Sequence, residues 1–288
     1  MGSGAGTVKP GTTSEGIGVV IHTVRAALIA AVGLITASSL VQAEGIWQRV
    51  TAPAYGLWSL GGVAKDSLFR DVQPTLAPAL LVFGGYGDFF IEANRFGYGL
   101  YRDGTSFASV IGNFRSHTSL SREQISASRV LSRYRLEERN NALEVGIQAG
   151  RRLPLGWIGR AAVLQGVSAA HRAREAEILF YRRDQLAGVR LLTTLGGQYQ
   201  SQRFNDYYFG IDASELADPA VQQGYRPAAG FSAELEMIAT YDVTTHANQS
   251  WGFYAGFRHF HYGREVADSP LTKGSLVQQY FIGLGRYF

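Results

Sequence analysis

The sequence predicts an all-β fold, a transmembrane antiparallel up-and-down β-barrel of about 12 strands. Three observations carry this prediction. Apolar and polar residues alternate along many segments, a period of two that is typical of strands with one apolar face. These segments run to roughly 10–15 residues, longer than an average soluble strand and long enough to cross a bilayer at a tilt. Their apolar faces begin or end in aromatic residues, as in the girdles of membrane barrels.

Composition agrees with a membrane barrel and excludes several other classes. Of the 288 residues 35 are glycine, and 17% are charged, against about 25% in ordinary domains. The net charge of +4 is too small for the concentrated basic face of a nucleic-acid-binding protein. The chain has no cysteine, which excludes disulfides, thiolate metal sites and cysteine nucleophiles. Because apolar outer faces and polar inner faces alternate along the strands, their contributions cancel and give the mean hydropathy of -0.04.

Residues 1–43 are predicted to be a secretory signal peptide. An apolar run at 26–35 follows Arg25, and small residues lead to Ala43. This order is that of a signal peptide cleaved after Ala43. The alternative, a transmembrane anchor, is disfavoured by the short apolar core. Because the segment before Arg25 is long for this purpose, a translation start near Val24 is a second hypothesis. Residues 44–288 are then the barrel domain.

Alternation places the individual strands. Residues 231–241 put Phe, Ala, Leu, Met, Ala and Tyr on one face, and Ser, Glu, Glu, Ile and Thr on the other. The predicted strands lie near 54–64, 74–83, 87–93, 96–102, 105–116, 142–151, 157–168, 175–183, 187–200, 226–241, 250–262 and 276–288. Their even number is the rule for bacterial barrels.

The connections between these strands predict an orientation. If both termini face the periplasm, the mostly short connections near 84–86, 103–104, 153–154, 184–186 and 242–248 are periplasmic. The longest connections, at 116–141 and 201–225, are then extracellular, which is the asymmetry of bacterial barrels. A tight hairpin is predicted near Asn94.

The last residues resemble the carboxyl-terminal insertion signal of outer-membrane barrels. Apolar residues alternate before the terminal Phe288, which we interpret as the key residue of this signal. Arg286 departs from the pattern, because such signals usually carry an aromatic residue there.

Four segments resemble the MipA/OmpV family of outer-membrane proteins. They are 136–146 (LEERNNALEVG), 207–215 (YYFGIDASE), 267–270 (ADSP) and, more loosely, 88–100. They follow the family's order over nearly all of the mature chain. The resemblance implies a barrel in the outer membrane of a Gram-negative bacterium. For the best-known members it implies a scaffold that holds a lytic murein transglycosylase near a peptidoglycan synthase, and other members resemble general outer-membrane proteins or adhesins.

Charged residues on the inner faces are the main candidates for a functional site. The six candidate lumen-lining residues are Glu144, Arg160, Arg190, Glu234, Glu236 and Arg258. They form either a charged pore lining that selects ions or solutes or a ladder of ion pairs that closes a narrow barrel. The modest interior of about 12 strands favours the ladder.

No catalytic residue, metal site or cofactor is predicted. Ser116 and His117 are adjacent, so on a strand they face opposite sides. His259 and His261 share a face, but two ligands are fewer than a metal site needs, and histidines at the headgroup level are the better interpretation. The segment 119–140 contains four arginines, Arg122, Arg129, Arg133 and Arg135. They either contact lipopolysaccharide phosphates or belong to a solvated loop.

Three functions remain open. The first is a non-enzymatic scaffold for murein enzymes, the second a small-solute channel, and the third a surface adhesin or receptor that uses the extracellular loops. The expected partners are outer-membrane lipid, lipopolysaccharide and the two murein enzymes, with no nucleic acid. The short periplasmic turns count against the scaffold, because a standard interface buries about 800 Å² per partner.

Overall fold

The computed structural model describes residues 55–116, 118–220, 222–246 and 249–287. Within these residues twelve strands form a closed barrel in chain order, each antiparallel to its neighbours, and the last strand pairs with the first. The predicted fold class is confirmed. The signal peptide, its cleavage after Ala43 and the insertion signal at Phe288 lie outside the described residues. Within the described part of the chain, no helix has the length and apolar character to cross a membrane.

The elements have the following bounds. The strands are β1 (Tyr55–Lys65), β2 (Thr75–Tyr86), β3 (Phe89–Glu92), β4 (Arg95–Arg102), β5 (Ser106–Arg115), β6 (Ala142–Arg152), β7 (Trp157–Gly166), β8 (Arg174–Leu186), β9 (Val189–Gln200), β10 (Gly230–His246), β11 (Gln249–His261) and β12 (Leu276–Tyr287). The described loops contain the helices α1 (Arg122–Ala127), α2 (Gln202–Phe209) and α3 (Arg264–Ala267).

The barrel wall follows the alternation in the sequence. Along β6, Leu143, Val145 and Ile147 are exposed on the outer face, whereas Glu144 and Gln148 are buried. Successive side chains of a strand point to opposite faces of the sheet. Apolar residues therefore face the lipid and polar residues face the interior, the reverse of a soluble protein.

Several strands are longer than predicted. β2 and β8 continue to Tyr86 and Leu186, so each of their turns spans two residues, and β10 continues to His246. The sequence near the ends of β8 and β10 is rich in polar residues that are typical of turns. In the structure these residues lie within the strands and have hydrogen-bond partners there. In β10, Asp242 accepts a hydrogen bond from Arg190 of the neighbouring strand at 2.6 Å, and a bulge follows it. β10 also begins at Gly230, later than 226, because residues 226–229 belong to the preceding loop.

The two ends of the barrel differ. The short turns share one end with the start of β1 and the end of β12, and the long connections 116–141 and 201–229 lie at the other. The tight hairpin is present between β3 and β4, at Ala93 and Asn94. In bacterial barrels the end with short turns faces the periplasm and the long loops face outwards, and we orient the barrel on this basis.

Glycines on the inner face make room for aromatic side chains. Gly283 lies against the Tyr254 ring, and a Cβ there would be 2.6 Å from Tyr254 Cε1. Gly256 has the same relation to Phe281, with a Cβ 2.5 Å from its Cζ. On the outer face, Gly62 has open space around it.

We expect Gly283→Leu to destabilise the barrel and Gly62→Leu to be tolerated. The first change forces a side chain into the Tyr254 ring, and overpacking of this kind typically costs about 1–3 kcal/mol or more. The second places an apolar side chain against lipid. Heat-modifiability on a gel measures both, as the temperature at which the folded band disappears. Equal temperatures for the two variants would contradict the packing described here.

Candidate functional site: a loop cap on a charged interior

The outer end of the barrel is covered by loops that pack into a hydrophobic cluster, here called the loop cap. Five of the connections between strands contribute to it, and its buried members are at most 9% exposed. They are Leu68, Phe69, Val72, Leu120, Ile125, Leu131, Ala173, Phe204, Tyr208, Phe209, Ile211, Phe260, Tyr262, Val266 and Leu271. The long loops therefore have a core of their own, and they close over the mouth of the barrel.

Local sequence explains why these loops fold. Ser121 begins α1 with a capping box, in which its side chain accepts from the Gln124 amide while the Gln124 side chain accepts from the Ser121 amide. This satisfies two donors that a helix start leaves free. α2 buries Phe204 and Tyr208, four residues apart on one face. The loop before β12 is tied to α2, because the Ser269 hydroxyl donates to the carbonyl of Phe209 at 2.7 Å.

A buried ion pair joins the two longest loops. Arg139 Nη1 lies 2.8 Å from Glu215 Oε1, and both side chains are 7% exposed. The amides of Glu137 and Asp212 also donate to Glu215, at 2.9 and 3.1 Å. Burial alone would raise the pKa of Glu215, but the hydrogen bonds from Arg139 and from these amides outweigh it and hold the pKa below its ordinary value.

Directly beneath the cap, Arg115 lies between two carboxylates. Its Nε is 2.6 Å from Glu144 Oε1 and its Nη2 is 2.6 Å from Glu175 Oε2, and all three side chains are at most 2% exposed. Asn113 donates to Glu144 at 2.7 Å, and Gln198 donates to Glu175 at 2.9 Å. These contacts join β5, β6, β8 and β9 across the upper interior.

The same guanidinium supports the cap from below. The carbon at its centre lies 4.9 Å from the centroid of the Phe204 ring of α2. A cation over an aromatic face is attracted by the electrons of the ring. The charged interior and the hydrophobic cap therefore meet at Arg115.

His171 completes this buried cluster. Its Nε2 lies 3.3 Å from Glu144 Oε1, and its ring is 5.2 Å from Phe204 and 5.5 Å from Tyr208, between centroids. Its Nδ1 accepts a hydrogen bond from the Ala173 amide at 3.1 Å. Within the described residues, Nε2 itself has no hydrogen-bond partner.

Glu144, His171 and Glu175 place their ligand atoms within 4.8 Å of one another, which raises the question of a metal ion. Two features of the cluster disfavour one. The guanidinium of Arg115 already supplies the positive charge between the two carboxylates. A metal-binding histidine also almost always donates from its other ring nitrogen, whereas His171 Nδ1 accepts from the Ala173 amide. The chemistry of the donors fits a hydrogen-bonded ion cluster.

Two further ion pairs lie in the interior. Arg95 of β4 binds Glu177 of β8 through both terminal nitrogens, at 2.5 and 2.9 Å. β4 and β8 are not neighbours in the sheet, so this pair crosses the barrel. Arg160 binds Glu92 at 2.9 Å.

The opposite side of the interior is more open. Arg258 lies 3.0 Å from Glu234 and 2.6 Å from Glu236, yet its side chain remains 41% exposed. Space that solvent can enter therefore lies beside it. All six residues proposed from the sequence to line the lumen make ion pairs, Arg190 with Asp242 at 2.6 Å.

The other sequence candidates lie at the surface. His259 and His261 are on the outer face of β11, where His261 Nε2 is 3.1 Å from the Ser275 hydroxyl. Ser116 follows the end of β5, and His117 lies outside the described residues. Arg122 and Arg129 make exposed ion pairs with Glu138 and Asp71, at 3.7 and 3.6 Å. Arg133 and Arg135 are exposed on the same loop.

Sequence reasoning missed the centre of the site. Arg115 lies near the end of a predicted strand and Glu175 at the start of another, so their inward direction could have been inferred, as that of Glu177 was. His171 lies in a connection without periodicity. Nothing in the sequence indicates that it turns inwards.

Comparison with known proteins gives a consistent result. Residues 59–288 match the family described as MltA-interacting protein MipA. The chain is 22% identical over 231 residues to the outer membrane protein Omp26La of Vibrio anguillarum and to OmpV of Vibrio cholerae, covering 79% of this chain and 84% of each relative. It is 31% identical over 88 residues to the MltA-interacting protein of Escherichia coli, covering 31% of this chain and 34% of that protein. Among solved structures, a FadL homologue of Pseudomonas aeruginosa aligns with this chain. The alignment covers 82% of this chain and 89% of the FadL homologue, at 6% identity and a TM-score of 0.36.

We expect Arg115→Met to destabilise the barrel strongly. It leaves Glu144 and Glu175 buried without their cation, and removing one partner of a buried pair typically costs about 3–5 kcal/mol. Arg122→Met removes an exposed pair, worth about 0–1 kcal/mol, and is the matched control. Urea unfolding in lipid vesicles, followed by tryptophan fluorescence, gives both values. Similar losses in the two variants would refute the assigned role of Arg115.

We expect the loop cap to loosen in acid. Because the pKa of Glu215 is lowered in the folded state, its ionised form stabilises the cap above its ordinary pKa of 4.5, and this stabilisation is lost as the pH falls below that value. A spin label on Ala213→Cys, in a chain with no other cysteine, reports the change as increased mobility. With Glu215→Gln the mobility should be high already at neutral pH. Constant mobility of the Ala213→Cys label down to about pH 3 would contradict this.

Proposed function

Because the chain belongs to the family of the MltA-interacting protein MipA, we propose that it is a non-enzymatic barrel that holds cell-wall enzymes at the periplasmic side of the outer membrane. The chain is an outer-membrane protein of the Gram-negative type, as its named relatives are. The scaffold role is suggested by the name of the Escherichia coli relative.

The loop cap is the observation that carries this proposal. Packed loops cover the outer mouth, and the Arg95–Glu177 pair crosses the barrel below them. A porin needs a continuous aqueous path from one end to the other. This closed outer end favours a structural role over free exchange of solutes.

The buried polar cluster also favours a structural role over catalysis. Arg115 is engaged by Glu144 and Glu175, and His171 holds the loop before β8 against α2. A catalytic base or nucleophile must reach a substrate. These groups are sealed beneath the cap and are engaged in supporting it.

The proposed partner is a lytic murein transglycosylase, with a peptidoglycan synthase as a second partner on the strength of the family resemblance. A contact point at the periplasmic end is Leu155, at the tip of the turn between β6 and β7. Its side chain is 84% exposed, and its backbone is left-handed, with φ 60°. A leucine in this conformation carries strain, and strained residues cluster at functional sites.

We expect Leu155→Asn to weaken capture of the transglycosylase while the barrel stays folded. Asparagine tolerates a positive φ, so the turn keeps its shape and loses only the apolar tip. Ala187→Asn is the matched control, because Ala187 also has a positive φ, 49°, in a turn at the same end. Pull-down of a purified lytic transglycosylase from detergent solution measures capture by each variant.

Two results would oppose parts of this proposal. Capture by the wild-type barrel no greater than by an unrelated barrel would refute the proposed partner. Equal capture by Leu155→Asn and Ala187→Asn would refute the contact point.

A small-solute channel is the second candidate, favoured by the space beside Arg258. Stable single-channel steps in a planar bilayer would support the channel and oppose the scaffold.

A further inference from the structure

An apolar groove lies on the outer wall of the barrel near its periplasmic end. Its volume is about 340 Å³, and it is lined by Leu153, Pro154, Trp157, Phe180 and Leu195. These residues belong to β7, β8, β9 and the turn before β7. We call it the β7 groove. Each of its walls is apolar, as expected of a surface in contact with acyl chains.

The floor of the β7 groove is a glycine. Gly159 pairs with Phe180, and Phe180 pairs with Leu195, so the three lie in one row across the sheet. A Cβ on Gly159 would be 3.1 Å from Leu153 Cδ1 and 3.4 Å from Phe180 Cε1. The missing side chain on β7 is therefore what creates the depression between its neighbours.

The wall at the turn is held in place by the backbone. The Leu153 amide donates to the carbonyl of Trp157 at 2.8 Å, which closes the turn. Leu155 and Gly156 both have positive φ, 60° and 76°, so the chain reverses within a few residues. Leu153 is thus fixed beside Gly159.

Two arginines flank the groove. Arg151 pairs with Gly159 in the sheet and is exposed on the outer face. Arg182 pairs with Trp157, and its guanidinium carbon is 5.7 Å from the centroid of the Trp157 ring. Arg182 binds Asp184 through Nε, at 2.9 Å. A guanidinium has five donors, so this ion pair leaves others to bind an anion.

The position of these residues matches one leaflet of the membrane. Trp157 lies next to a periplasmic turn, and tryptophan is enriched at the boundary between lipid and water. Arg182, which pairs with Trp157, is then at the height of the lipid headgroups. Arg151 and the apolar walls lie one row further along the strands, at the height of the first acyl segments, and the long Arg151 side chain can extend back to the headgroups.

We propose that the β7 groove binds one acyl chain of an anionic phospholipid in the periplasmic leaflet, whose phosphate contacts Arg151 and Arg182. Arginine binds phosphate in a bidentate, charge-assisted manner, and basic sites beside apolar surfaces recognise anionic headgroups. A chain of this kind fills the space that Gly159 leaves open.

Native mass spectrometry of the full barrel in detergent tests this with dipalmitoyl phosphatidylglycerol as the probe. We expect the wild-type barrel to retain one lipid. Gly159→Leu fills the groove and should weaken retention at least about tenfold. Gly62→Leu is the matched control, because Gly62 is another outward-facing glycine with open space around it, and it should bind as the wild type does.

The headgroup contact has its own variant. Arg151→Gln with Arg182→Gln should lower retention of phosphatidylglycerol towards that of phosphatidylcholine, which has no net charge. This double variant changes outward-facing side chains of the rim, so it keeps the test valid if Gly159→Leu fails to fold. A gel band that shifts when the sample is heated shows that each variant is folded.

Two results would overturn the proposal. One is equal lipid retention by Gly159→Leu and Gly62→Leu. The other is wild-type retention of phosphatidylcholine as strong as that of phosphatidylglycerol. Neither result involves the murein transglycosylase, so the lipid site and the scaffold role stand or fail separately.

Discussion

The closed outer end of this barrel depends on one buried interaction, the binding of Arg115 between Glu144 and Glu175. Two carboxylates whose oxygens lie within 4.8 Å of each other in a low-dielectric interior would repel each other and resist burial. The guanidinium binds both at 2.6 Å and supports the Phe204 ring of α2 from below. The strands supply the charges, and the loops supply the cover that keeps water from them. Each part therefore stabilises the other.

The second organising feature is the separation of two cores. In the wall, apolar residues face lipid. The hydrophobic effect therefore stabilises the barrel in the membrane, but it does not pack the barrel interior. The interior is held by ion pairs such as Arg95–Glu177 and by aromatic rings packed on glycine, as Tyr254 is on Gly283. Among the described residues, the larger hydrophobic core is the loop cap, at the aqueous outer end, and a smaller cluster of Ile111, Ala162, Leu164 and Phe90 lies inside the barrel. This division explains how a chain of neutral hydropathy folds as a membrane protein.

Much of this architecture could be predicted from the sequence, because a strand with one face to lipid and one to the interior leaves a strict period of two. The strands, their number and the inward direction of residues such as Glu144 follow from that period. The loop cap does not, since Leu120, Phe204 and Leu271 come from loops without periodicity and meet only when the barrel closes. Partners across the barrel are equally hidden. Arg115 and Glu175 lie 60 positions apart, and their contact depends on the curvature of the closed sheet.

If the loop cap closes the outer mouth, the space beside Arg258 that solvent can enter must be reached from the periplasm. The most direct measurement uses Thr240→Cys, an inner-face position of β10 in a chain without other cysteines, and a membrane-impermeant thiol reagent. We expect labelling when the reagent has access to the periplasm and none when it is applied to intact cells. Labelling from outside intact cells, at the rate seen from the periplasm, would contradict the account.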